Sequence, residues 1–146
     1  MRQKILVPID FSDNCRHALA FAIDHVQSHE AEIYLFYVIE DNKRGQFKGA
    51  AEKLEEDLER MKDLMMTTLD KMAKTWGEKP RIGEVHRRIA NGKPWQEILR
   101  MAGAITADII VIGASTKGKN ALKVAEHAPC TVSIVREVDR EYTFTG

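Results

Sequence analysis

The chain is 146 residues long and 44% hydrophobic, and its 22 Lys and Arg balance its 22 Asp and Glu. That length and composition fit one globular domain able to bury about two-thirds of its unfolded surface, and they exclude a disordered chain. Zero formal net charge argues against a dedicated nucleic-acid binder, which carries a basic excess, and leaves little self-repulsion to oppose pairing with a second copy.

Ile5-Leu6-Val7-Pro8-Ile9 is apolar on both faces, as buried parallel strands are, and predicts a first strand. Asp10-Phe11-Ser12-Asp13 is a turn, with Ser12 or Asp13 as the N-cap of the next helix. Cys15, Ala18, Leu19, Ala22, Ile23 and Val26 then fall on one helical stripe, and Arg16, His17, Asp24 and His25 lie off it. Residues 33–39 are dense in β-formers and predict a second strand. A polar stretch over 40–48 leads into a long helix over 50–76, ended by Gly77. Leu54, Leu58, Met61, Met65, Leu69 and Met72 make its buried face.

Residues 84–89 predict a third strand, with Val85 and Ile89 apolar among charges, as on a sheet edge. Asn91-Gly92-Lys93-Pro94 turns into a helix with Pro94 in its first turn and Ile98, Leu99, Ala102 and Ile105 inward. Residues 108–112 form the strongest strand pattern, 118–126 a short helix, and 131–135 the last strand. The domain spans 1–136, and a polar tail over 137–146 carries Tyr142 and Phe144. Strict β-α alternation predicts an α/β fold with a parallel sheet and helices on both faces, because each parallel pair needs a crossover.

The two cysteines, Cys15 and Cys130, have no CxxC or metal-ligand spacing and fit free thiols in a reducing cytoplasm. No apolar run approaches the roughly 20 residues that span a bilayer, so no membrane partner is expected. His25 and His29 lie one helical turn apart without an evident third ligand, so no metal is expected. His127 and Cys130 bracket Pro129 in a turn that does not by itself provide nucleophile geometry.

Open parallel sheets take ligands beyond the carboxyl ends of their strands. Two places stand out there. Asp10 ends the first strand, as a carboxylate facing a ligand or as an ordinary turn residue. Gly113-Ala114-Ser115-Thr116-Lys117-Gly118-Lys119-Asn120 fits GxxxxGK, with glycines and a helix start that favour an anion, and with Lys117 and Lys119 adding positive charge. Asn120 stands where a P-loop needs Ser or Thr for Mg²⁺, and the segment follows the fourth strand rather than the first. A plain strand-to-helix turn with solvated lysines explains the same residues.

Five blocks in order resemble the universal stress protein family: Ile5 to Ser12 with Ala18-Leu19, Ala31 to Val38, Gly92-Lys93-Pro94 with Ile98, Ala107 to Gly113, and His127-Ala128-Pro129-Cys130-Thr131-Val132. The resemblance implies an open five-stranded parallel sheet in the order 3-2-1-4-5, the adenine nucleotide alpha-hydrolase-like arrangement. It also implies homodimers, often paired through the last strand, for which Val132, Ile134, Tyr142 and Phe144 are the candidates here. Part of the family binds ATP, with the residues matching Asp10 and Val38 beside adenine and ribose and the phosphates on a loop G-x2-G-x9-G-[S/T].

Gly113 matches the first glycine of that loop and Gly118 the last. Thr116 replaces the middle glycine, the nine-residue spacer is gone, and Lys119 replaces the final Ser or Thr. The expectation is a non-enzymatic stress-response protein without family-typical ATP binding and without a required cofactor. The alternatives are an ATP-, AMP- or phosphate-binding sensor using Asp10, Val38, Gly113, Lys117, Gly118 and Lys119, and a slow nucleotide hydrolase.

Overall fold

Strands and helices alternate along the chain: β1 (Gln3–Pro8), α1 (Asp13–His25), β2 (Ala31–Glu40), α2 (Ala51–Trp76), β3 (Ile82–Gly92), α3 (Pro94–Ile105), β4 (Ile109–Gly113), α4 (Asn120–His127) and β5 (Thr131–Val135). The computed structural model describes residues 2–10, 13–25, 30–40, 51–76, 82–114 and 119–136. The strands form one parallel sheet in the order β3-β2-β1-β4-β5, as the family resemblance implied.

Each sheet face buries its own apolar layer. The odd-numbered residues of β1, Ile5 and Val7, join Ile33, Leu35, Ile109 and Val111 under α1 and α2, where Ala18, Leu19, Ala22, Ile23, Leu58 and Met65 close the layer. The even-numbered residue Leu6 joins Tyr34, Phe36, Ile110 and Ile112 under α3 and α4, with Ile98, Ala102, Ala121 and Val124. The period of two along β1 therefore assigns one face to each helix pair. Cys15 is 2% exposed and belongs to the first layer, as its place on the helical stripe predicted. The side chains of Leu69 and Met72 and the predicted stripe residue Val26 lie outside the described residues.

Several boundaries differ from the sequence expectation, each for a local reason. β3 extends from the predicted 84–89 to Ile82–Gly92, because Asn91 and Gly92 remain paired with Ile39 and Glu40 before the chain turns. Gly92 has φ +148, and a Cβ there would meet the Glu97 carboxylate at 2.7 Å, so only glycine fits this strand end. α4 begins at Asn120 rather than 118, with Lys119 as its capping residue. α3 ends on Thr106 at φ 53, where the Ala107 N–H donates to the Ala102 carbonyl at 2.9 Å in a left-handed cap.

The pairing of β1 is lopsided. It matches β2 over six residues, but it matches β4 only at Ile5–Ile109 and Leu6–Ile110. The β4 side starts with the Asp108 N–H donating to the Lys4 carbonyl at 2.8 Å and the Lys4 N–H donating to the Asp108 carboxylate at 2.7 Å. It stops where proline intervenes. The Ile9 N–H donates to the Phe36 carbonyl of β2 at 2.8 Å, so in a parallel strand the neighbouring Pro8 faces β4. Pro8 has no N–H to offer there, and the ladder ends.

Candidate functional site

The strand order reverses between β1 and β4, and the missing Pro8 donor lets the two strands part at that point. A crevice opens beyond their carboxyl ends. Its described lining comes from Pro8, Ile9, Asp10 and Cys15; from Phe36, Tyr37, Val38 and Glu40 of β2; from Pro94 and Ile98 of α3; and from Ile112, Gly113, Asn120 and Ala121. Three residues proposed from the sequence, Asp10, Val38 and Gly113, therefore meet on one surface.

The described lining is acidic and apolar. Asp10 and Glu40 supply carboxylates, and no Lys or Arg stands among the described lining residues. Burial, reinforced by Glu40 and then Asp10, pushes the Tyr37 phenol above its usual value. Tyr37 therefore stays protonated and keeps an O–H to donate. The Cys15 thiol donates to the Pro8 carbonyl at 3.9 Å and is 2% exposed where it borders the crevice. This arrangement suits hydrogen bonding to hydroxyl and amino groups over an apolar floor of Phe36, Val38, Ile98 and Ile112.

Gly113 has a packing role that the sequence did not reveal. A Cβ at this position would sit 2.6 Å from both the carbonyl carbon and the oxygen of Asn14, and 2.9 Å from the Cys15 nitrogen. The end of β4 thus touches the first turn of α1 backbone to backbone, which only glycine allows. The connection from β4 to α4 is short, running over residues 114–119. The Ala114 N–H donates to the Val135 carbonyl at 2.9 Å and commits the start of that connection to β5. Lys119 is exposed at the head of α4, in helical conformation and without a side-chain capping bond. Lys117 and Gly118 lie outside the described residues.

The remaining sequence candidates separate. Val132 is half-buried against the α3–α4 layer, whereas Ile134 is 38% exposed on the edge strand β5. Tyr142 and Phe144 lie outside the described residues. His127 stacks on Trp95 at 5.8 Å, and Lys123 Nζ lies 4.9 Å from the same ring. The Cys130 thiol is pushed up by burial and then by Asp108, the opposite of what a nucleophilic thiol needs. His25 stacks on Phe21, and His29 lies outside the described residues.

One cluster escaped sequence reasoning: Glu32, Glu84 and His86, whose ligand atoms lie within 4.8 Å of one another. Glu84 and His86 are two apart on β3 and share a face, a pattern visible in the sequence. Glu32 joins them only through the β2–β3 register, which no local pattern announces.

The sheet order, the crevice at its switch point and the Gly-Lys-Pro turn into α3 all follow the pattern of one family. The model of the universal stress protein family matches residues 1–136. The chain belongs to that family. Among universal stress proteins, it is 30% identical to universal stress protein MJ0531 of Methanocaldococcus jannaschii, over 95% of this chain and 85% of that one. The structure of UspA from Lactobacillus plantarum matches at 26% identity and TM-score 0.67, covering 93% of this chain and 99% of that chain. A universal stress protein family structure from Arabidopsis thaliana, described with AMP bound, shares the fold at 15% identity and TM-score 0.60, covering 98% of this chain and 97% of that one.

Proposed function

We propose that this chain is a non-catalytic, regulatory universal stress protein that has lost family-typical ATP binding and needs no cofactor. The observation that carries this reading is the short β4–α4 connection over 114–119, too short for a loop of the form G-x2-G-x9-G-[S/T]. The local chemistry agrees with it. Gly113 is occupied by contact with α1, and the described crevice offers carboxylates where a triphosphate needs donors and cations. Calorimetry with ATP, ADP and AMP tests the reading. The expected result is no detectable ATP binding, and a dissociation constant in the low micromolar range for ATP would overturn it.

A second reading is a sensor for AMP or another phosphate-bearing ligand. What supports it is the meeting of Asp10, Val38 and Tyr37 at the switch point, together with the AMP-bound relative of the same fold. Under this reading the Lys117→Ala and Lys119→Ala double variant loses binding of AMP and inorganic phosphate, and undiminished binding excludes it. A slow nucleotide hydrolase ranks last, since Asp10 is the sole general-base candidate carried from the sequence. Phosphate release above background that disappears in Asp10→Ala would restore it.

Homodimerisation belongs to the same proposal. β5 forms a sheet edge and exposes Ile134, an apolar side chain suited to burial against a second copy. Sedimentation at micromolar concentration should give a dimer, and a monomer would refute it. Cytoplasmic residence is proposed with it: no described helix is long and apolar enough to cross a membrane, and both cysteines are free thiols.

A further inference from the structure

The Glu32, Glu84 and His86 cluster lies on the sheet face that α3 and α4 share, but at the amino ends of β2 and β3. Val38 is six residue steps along β2 from Glu32, so the cluster stands about 20 Å along the strand from the crevice. It has no part in the function proposed above. From its geometry we infer that this chain binds a divalent transition ion of the Zn²⁺ class at Glu32, Glu84 and His86.

Three observations point to an ion. His86 Nε2 lies 3.2 Å from Glu84 Oε2 and 3.7 Å from Glu32 Oε1. Ligands bound tetrahedrally to zinc at ordinary bond lengths stand about 3.3 Å apart, so these atoms need only small movements to close on one ion. Next, His86 Nε2 is shielded from solvent and has no hydrogen-bond partner, although its position faces two carboxylates. The ring is held there by stacking on Tyr34, centroid to centroid at 4.3 Å and 20° from parallel. Finally, Glu32 and Glu84 are directly opposite in the parallel register, and like charges in that relation oppose strand pairing unless a cation lies between them.

The donor set selects the ion class. One imidazole and two carboxylates suit zinc and its neighbours better than the all-oxygen shell that calcium or magnesium prefers. Glu84 is 59% exposed, which leaves the outer side of the site open to a water as fourth ligand. One native cation competes for the same carboxylates: Arg2, with its guanidinium 3.7 Å from Glu32 Oε1. Arg2 is half-exposed and can swing away, whereas Arg88 is engaged over the Tyr34 ring.

The test is a Zn²⁺ titration of chelator-treated full chain, read by competition with a chromophoric chelator. The wild-type chain should bind one equivalent. His86→Ala should weaken that binding by more than about 100-fold, beyond the loss typical of outer-shell changes. Glu84→Gln, at an exposed position that leaves folding intact, should weaken it by at least about tenfold. Arg2→Ala should tighten it by about two- to fivefold, by removing a rival charge that merely structural ion pairing would not report. A Cys15→Ser, Cys130→Ser chain should bind as the wild type does. Binding that persists in both His86→Ala and Glu84→Gln, or that vanishes in the cysteine variant, places the ion elsewhere and overturns the inference. Absence of binding at micromolar Zn²⁺ also overturns it. None of these outcomes bears on nucleotide binding in the crevice.

Discussion

Gly113→Ala asks whether this glycine serves an anion or a neighbouring helix. The added methyl carbon would lie 2.6 Å from Asn14 C and O and 2.9 Å from Cys15 N. All three are backbone atoms at the start of α1, so no rotamer change relieves the clash, and α1 must move away from β4. The conformation itself is not at issue, because among the described glycines only Gly92 has positive φ. Overpacking costs about 1–3 kcal/mol, and a contact against rigid backbone belongs at the upper end. Alanine's smaller unfolded-state entropy offsets about 0.4–1 kcal/mol, which leaves a net loss of about 2 kcal/mol. With a urea slope of about 2 kcal/mol/M for a domain of this size, the unfolding midpoint falls by about 1 M at unchanged slope. Gly103→Ala is the internal comparison. It is exposed within α3 with no atom within 4 Å of the added carbon, and should gain about 0.5–1 kcal/mol. Both variants are measured by equilibrium urea unfolding without nucleotide. If Gly113→Ala unfolds at the wild-type midpoint while Gly103→Ala shows its gain, the close approach to α1 is wrong, and the anion-loop role of Gly113 returns.

Thr106→Gly relieves a β-branched residue at φ 53 and should add about 1 kcal/mol in the same assay; a loss would mean that the threonine side chain supports the cap. Leu58→Ala empties a fully buried position between α2 and the sheet and should cost about 3 kcal/mol, with a change under about 1 kcal/mol showing that α2 is not packed as described. The pKa of Cys130 is raised by burial and Asp108, so the native chain keeps the thiol proton where the unfolded chain has lost it. That contribution is complete below the unfolded thiol value of about 8.5 and is lost as pH rises through the native value. Unfolding midpoints measured across this window should decline less steeply in Cys130→Ala than in the wild type, and parallel declines would contradict the assignment.

The parts of the fold written in contiguous apolar runs were legible in the sequence. β4 and β5 are short, apolar and bounded by turns, and β5 was read at its observed limits. β3 was read too short because Gly83 interrupts the pattern at its start and because Asn91-Gly92 signals a turn although it still pairs with β2. β1 was read late because Gln3 and Lys4 are polar yet pair with Ala31 and Glu32. The crevice was legible in outline, since topology alone sends Asp10 and Gly113 to one sheet end. The role of Gly113 was not legible, because the atoms that forbid a side chain there belong to Asn14, nearly a hundred residues away. The Glu32–Glu84–His86 group was hidden for the same reason: register, not spacing, assembles it.

The short β1–β4 ladder also bears on how the molecule opens. β3, β2 and β1 are joined by long ladders within consecutive βαβ units, while β4 and β5 attach to them through two residue pairs and a cap of bonds at Asp108. That boundary is the seam along which the sheet divides into two blocks, and amide exchange should report it as the first interior hydrogen bonds to become labile. The crevice straddles the seam, with Asp10 on one block and Gly113 and Asn120 on the other. Any occupant that touches both sides acts as a rivet across it. Filling the crevice is then felt mechanically by the whole sheet, and its occupancy is displayed as resistance to being pulled apart.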